Sequence, residues 1–111
     1  MFTKGNFQNI MKQAKNVQEK LEATQAELEK LEIKGQAGGG MVVAMVNGKQ
    51  KLLSLKIDPE ILTDDVEMVE DLIVAAVNQG LSKAGEESQK RMSGISGSVL
   101  GSLGDLQIPG T

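Results

Sequence analysis

The chain has 111 residues, enough for one domain, with 12 basic and 15 acidic side chains and a net charge of −3. It has no Cys and no His, which excludes disulfides and thiol or imidazole metal ligands. Its aromatic residues are two Phe, and a core built of aliphatic side chains buries less area per residue, which favours an oligomer whose partner completes it.

The first long element spans Asn6 to about Leu31. Phe7, Ile10, Ala14, Val17, Leu21, Thr24, Leu28 and Leu31 follow at gaps of three and four, a heptad seam of the coiled-coil type. The seam is weakest at Ala14 and Thr24. Asn6 is the expected N-cap, since its side chain accepts from the free amides of a first turn. Such a helix is roughly 40 Å long, while a compact domain of this size has a radius of gyration of ~13 Å. It is therefore expected to overhang its own core, to lie along a second long helix, or both.

The period changes to two after Leu31. Ile33 to Ala37 reads as a short strand, Gly38 to Gly40 as a break, and Met41 to Val46 as a dense apolar strand. Asn47-Gly48 predicts a two-residue hairpin turn, because both positions of a type I′ turn need positive φ. Lys49 to Ile57 returns as a strand with Leu53, Leu55 and Ile57 on one face and Ser54 and Lys56 on the other; Leu52 breaks the alternation. Asp58-Pro59 ends it.

Thr63 or Asp64 is the expected cap of a second long helix, with Asp64 and Glu67 resembling a capping box. Its buried stripe is Val66, Val69, Leu72, Ile73, Ala76, Val77, Gly80, Leu81 and Ala84, and it is expected to run to about Met92, weakened at Gly80 and Gly85. Residues 93–111 are rich in Gly and Ser and read as a flexible tail. The order helix, three-stranded antiparallel meander, helix is an α+β architecture, with residues 1–92 as its folded domain.

No apolar run approaches the ~20 residues of a membrane span, and the N-terminus lacks the apolar stretch of a signal peptide, so the expected placement is the cytoplasm. Gly38 to Gly40 precedes a strand and is not followed by Lys and Ser or Thr, so it reads as a strand break and not a phosphate loop. The acidic run Asp58 to Asp71 lacks the spacing and the sharp-turn glycine of a calcium loop, and reads as helix capping plus a solvated face. Nothing pairs a nucleophile with a base, so no enzyme and no cofactor are expected.

The sharper signal is the lysines. With Lys12 as the zero of a helical wheel, Lys15 falls at about −60°, Lys4 at about −80° and Lys20 at about +80°, while the apolar seam centres at about 180°. The lysines thus line the face opposite the seam. Lys83, Lys90 and Arg91 make the far end of the second helix basic. With the helices antiparallel, the two groups are expected to meet at one end of the protomer. Lys4, Lys12, Lys15, Lys20, Lys83, Lys90 and Arg91 are therefore the candidate phosphate-binding residues, and a basic patch of this kind is an electrostatic footprint for DNA.

Met1-Phe2, Asn9 to Ala14, Gln18 to Leu21, Leu31-Glu32, Gly35 with Gly38 to Gly40, Asn47-Gly48, Ile57 to Pro59, and Glu70 to Leu72 followed by Ala75-Ala76 and Asn78 stand in an order that resembles the YbaB/EbfC family of bacterial nucleoid-associated proteins. The resemblance covers about residues 1–92. It implies a tweezer-like homodimer in which each subunit gives strands to a joint sheet and long helices project as arms. It also implies binding to double-stranded DNA with modest sequence preference, nucleoid localisation, and influence on chromosome organisation and gene expression. Met41, Val43, Met45, Leu52, Leu53 and Leu55 are then the candidate dimer interface. A single Arg and no aromatic near the lysines limit base reading. The alternative is a protein–protein scaffold whose arms clasp a recombination or replication protein; salt separates the two readings, because phosphate contacts by Lys weaken steeply with salt.

Overall fold

The computed structural model describes residues 4–63 and 65–105. Among the described residues, two α-helices and three strands follow in order, with short 3-10 turns at Gly38–Gly40 and Pro59–Thr63: α1 (Lys4–Lys30), β1 (Ile33–Ala37), β2 (Val42–Val46), β3 (Leu52–Ile57) and α2 (Val66–Asp105). This is the expected α+β order. The strands form an antiparallel sheet in the order β1-β2-β3. The molecule is far from spherical, with a radius of gyration of 21.7 Å and extents of 73 × 26 × 16 Å. The cause is the two helices, of 27 and 40 residues, against strands of five or six.

β2 alternates strictly, with Val42, Ala44 and Val46 fully buried and Val43 and Met45 half-buried. Val42, Ala44, Ile61 and Ala76 form the core, ringed by Ala37, Ile57, Leu72, Ile73 and Val77. One face of the sheet therefore packs on the apolar stripe of α2, the usual division for an antiparallel sheet. Val66, expected in that stripe, is 67% exposed, because the sheet ends before the first turn of α2.

Gly35 and Gly80 make the packing of α2 on β1 unusually close. A Cβ on Gly35 would collide with the Ala76 carbonyl oxygen and the Gly80 amide, and would sit 2.8 Å from the Gly80 Cα. One on Gly80 would lie 3.3 Å from Val46 Cγ1. Gly80 thus carries a packing role, and α2 runs through it without a break. The helical propensity lost at Gly80, about 1 kcal/mol, is set against a close contact in which a methyl would press on Val46.

The hairpin between β2 and β3 is not the expected two-residue turn. Asn47 N–H donates to Lys51 O (2.9 Å) and Gln50 N–H to Asn47 O (3.1 Å), so the loop proper is Gly48-Lys49-Gln50. Gln50 takes the left-handed position, with φ of 62°. This is the three-residue hairpin loop, a turn followed by one left-handed residue. Gly48 serves closeness and not positive φ: a Cβ there would lie 2.8 Å from the Leu28 carbonyl oxygen. The break in alternation at Leu52 coincides with a register shift opposite Met45 and Val46.

The helix ends also differ from expectation. α1 begins at Lys4, so Asn6 lies inside its first turn. Asp65 caps α2, accepting from Glu67 N–H at 3.2 Å, while Thr63 Oγ1 donates back to Glu60 O. Asp64 and residues 106–111 lie outside the described residues. Most notably, α2 continues past Met92 to Asp105, where a flexible tail was expected. Met92, Ile95, Val99, Leu100 and Leu103 keep helical spacing through the Gly and Ser, so an amphipathic pattern persists that composition alone conceals.

Gly35→Ala is expected to lower unfolding stability by about 3 kcal/mol or more, since backbone must move to admit the methyl. Gly39→Ala, with φ of 69° but nothing within 4 Å of its Cβ position, should cost about 1 kcal/mol. Urea unfolding followed by circular dichroism compares the two.

Candidate nucleic-acid interface

α1 is anchored at one end. Leu28 is 1% exposed, and no other described side chain of α1 is fully buried. Val17 and Thr24 of the seam are half-buried, and Phe7 and Ile10 are 58% and 43% exposed. The helix thus leaves the core near Leu28 and carries its first half outward. That outward half is where the lysines sit.

Lys12 and Lys15 share a shallow exposed groove with Gln8, Met11, Ala14 and Gln18. Between Lys4 and Gln18 the sequence has no acid. The positive end of the helix dipole adds to these charges. Lys20 lies further along, on a stretch where Glu19 and Glu22 begin to offset it. Lys4 opens the helix, but its side chain lies outside the described residues. Gln8 and Gln18 are absent from the sequence-derived candidates, although their spacing to the lysines, three and four residues, places them on the same face.

The second basic group lies elsewhere. Lys83, Lys90 and Arg91 border a shallow depression with Leu31 and Ile33, at the inner end of α1. Lys83 Nζ donates to Lys34 O (3.2 Å). Arg91 is held by two carboxylates, Glu87 at 3.0 Å and Glu27 at 3.2 Å. Lys12 lies fifteen residues up the helix from Glu27, roughly 22 Å away. The two groups therefore do not meet at one end. The expectation failed because α2 extends fourteen residues beyond Arg91, so Arg91 is not near its tip.

Two further sets of groups define what the site can do. The hairpin turn clamps the inner end of α1: Gly48 N–H donates to Leu28 O (2.7 Å) and Asn47 Nδ2 to Glu29 O (3.3 Å). Asn47 is 3% exposed, and its Oδ1 also accepts from Lys49 and Lys51 N–H. Gln50 Nε2 donates to Leu81 O (3.0 Å), tying the same turn to α2. Free carbonyls at a helix end need partners, and this turn supplies them. At the opposite end of the molecule, Asp58 and Asp65 accept from backbone amides of their own turns. Among the described residues no group of three or more Asp or Glu gathers tightly enough to hold a metal ion.

The candidate interface residues divide between the two faces of the sheet. Leu55 pairs with Ala44 and Leu52 with Val46, which puts both on the α2 side. α2 covers β1 and β2 and leaves β3 open, so Leu52, Leu53 and Leu55 are 44%, 46% and 39% exposed. Val43 and Met45 are half-buried on the other face, and Met41, just before β2, is 39% exposed.

A model of the YbaB/EbfC DNA-binding family matches residues 4–99. The chain belongs to that family. It is 52% identical over 96 residues to a nucleoid-associated protein of Chlorobium phaeobacteroides (strain BS1), covering 86% of each chain. It is 49% identical over 96 residues, again 86% of each, to a nucleoid-associated protein of Clostridium perfringens (strain SM101 / Type A). In fold it is similar to the crystal structure of an uncharacterised protein from Helicobacter pylori, with a TM-score of 0.66 at 22% identity, covering 84% of this chain and 95% of that one. The YbaB/EbfC match runs past Met92 into the segment where α2 continues. No described helix is long and apolar enough to cross a membrane.

In this YbaB/EbfC chain, Asn47→Ala removes three hydrogen bonds from a buried site. Its expected cost is about 2–3 kcal/mol. Urea unfolding should register that loss, whereas Lys49→Ala, at an exposed position of the same loop, should leave stability within about 0.5 kcal/mol.

Proposed function

We propose that the protein binds double-stranded DNA as a homodimer, through the lysine-bearing outer halves of its two α1 helices. The observation that carries this reading is the acid-free stretch from Lys4 to Gln18 on a helix that overhangs the core. Lys12 and Lys15 contact phosphates as point charges, Gln8 and Gln18 add neutral hydrogen bonds, and Lys4 and Lys20 extend the track. Contacts of this kind position a protein on DNA without reading bases, so sequence preference is modest. Lys83 and Lys90 lie nearer the body and contribute long-range attraction more than contact.

The uncovered leucines of β3 support the dimer. A lone antiparallel edge strand with Leu52, Leu53 and Leu55 in water is an unstable arrangement, and a second copy covers it. Met41, just before β2, and Val43 and Met45, on the opposite face of the sheet, offer the partner a second apolar surface. Two arms then project from one joint body, and the DNA lies against both. The consequence for the cell is placement on the nucleoid and an influence on chromosome organisation and gene expression. The exposed Phe7, Ile10 and Met11 on the same helix favour a second reading, in which the arms clasp another protein by its apolar surface.

Fluorescence anisotropy of a labelled ~30 bp duplex across a salt series tests the leading reading. The expected result is micromolar or tighter binding that falls steeply with salt, with a slope of several phosphates. Lys12→Glu with Lys15→Glu should abolish that binding and leave the dimer intact. Absence of binding at low salt sinks the DNA reading and favours the clasp. Separately, Leu53→Glu with Leu55→Glu should weaken dimerisation by about a hundredfold in sedimentation analysis, with helicity by circular dichroism unchanged.

A further inference from the structure

Arg91 is the chain's single arginine, and every other basic side chain is lysine. It is not placed on the exposed lysine track. Its guanidinium lies between Glu87, one turn back on α2, and Glu27, on α1. A planar fork with five donors bridges two carboxylates in a way that an ammonium does not. The bridge sits where α1 leaves the body, one residue before the buried Leu28. We propose that the Glu27–Arg91 pair is a strut that sets the direction of α1, and that Arg91 is a positioning residue for DNA binding and not a phosphate contact.

Leverage makes the position matter. A tilt of about 10° at Glu27 moves Lys12, roughly 22 Å out, by about 4 Å. Successive phosphates of one strand are about 3.4 Å apart along the duplex axis. A tilt of that size therefore carries the lysine track off by one phosphate. The clamp at Leu28 and Glu29 fixes where α1 ends, by bonds close to the pivot; the strut is attached one residue further out and joins α1 to the helix that runs alongside it. The Arg91 side chain is 33% exposed and that of Glu27 64%, so either is altered without opening the core.

The inference deepens the DNA reading and rests on it, but it is tested without DNA as well. The absence of Cys permits unique spin labels at Gln8→Cys on α1 and Ser82→Cys on α2, both exposed. Labelled protein is diluted with unlabelled protein, so that distances within one protomer dominate. Glu27→Gln cuts the bond between helices. Glu87→Gln removes the same charge but cuts a bond within α2. The strut predicts a broader, shifted Gln8–Ser82 distance distribution for Glu27→Gln and for Arg91→Lys, and an unchanged one for Glu87→Gln.

DNA affinity, measured on unlabelled protein that keeps Gln8, gives the second readout, and its sign is diagnostic. Charge alone makes both glutamine variants bind tighter, since each removes a negative charge. The strut predicts that Glu87→Gln tightens binding while Glu27→Gln and Arg91→Lys weaken it, by about twofold to fivefold. Equal behaviour of Glu27→Gln and Glu87→Gln, in distance or in affinity, overturns the proposal, as does full affinity in Arg91→Lys. Should the unaltered protein fail to bind DNA, the DNA reading falls, and the distance distributions alone decide whether Glu27–Arg91 holds the arm.

Discussion

The close contact between Gly35 and Gly80 determines where every other element lies. Two backbones meet there without side chains between them, so α2 rests on β1 at a distance that a single methyl would forbid. A helix drawn in so tightly at one edge of a three-stranded sheet cannot also cover the other edge. It covers β1 and β2, and β3 keeps its leucines in water. The apolar edge left open on β3 is thus the other side of one small-residue contact. Gln36 N–H and Lys34 O bond Gln79 Oε1 and Lys83 Nζ along the same flank, so polar side chains of α2 serve the exposed backbone of β1.

With α2 fixed, the arm follows. α2 is long enough to leave the sheet and continue outward, and α1 returns along it in the opposite direction, with Glu27 beside Arg91. The hairpin turn stands at the junction of the three parts. Asn47 and Gly48 serve the end of α1, and Gln50 serves α2 through Leu81. The left-handed Gln50 costs about 1 kcal/mol in backbone strain, and its bond to the Leu81 carbonyl is what holds the loop over α2. A residue pair that looks like an ordinary hairpin signal is therefore used to orient a helix eighteen residues earlier in the chain.

The element order and the overhanging helix were legible in the sequence because both rest on periodicity: the heptad seam of α1, the alternation of β2, and the stripe of α2. The placement of Lys12 and Lys15 on one exposed stretch of α1 was legible for the same reason. What was not legible depends on distance in space. Nothing local marks Glu27 as the partner of Arg91, sixty-four residues away. Nothing in Gly35 or Gly80 marks them as neighbours, and Gly80 reads locally as a weak point in the helix it serves. The end of α2 departs from expectation for a different reason. Gly and Ser at 93–105 lower helix propensity, yet the aliphatic residues between them keep the helical period in the sequence, and the backbone of α2 runs on through them.

A chain of net charge −3 in a DNA-binding family looks contradictory until the charges are placed. Asp58, Glu60, Asp65, Glu67, Glu70 and Asp71 cluster at the start of α2, with no base among them. From Asp71 to Arg91 along α2, and back along α1 from Glu27 to Lys15, is roughly 50 Å. Fields between exposed charges decay over about 8 Å at physiological salt. A negative charge brought beside Lys12 and Lys15 would therefore experience those two lysines and be screened from the acidic end. The sum of charges governs solubility and the approach from afar; the contact is governed by those charges that lie within a Debye length. Length is what allows both signs on one small protein, and that length comes from a helix whose seam is buried at Leu28 and opens to solvent beyond it.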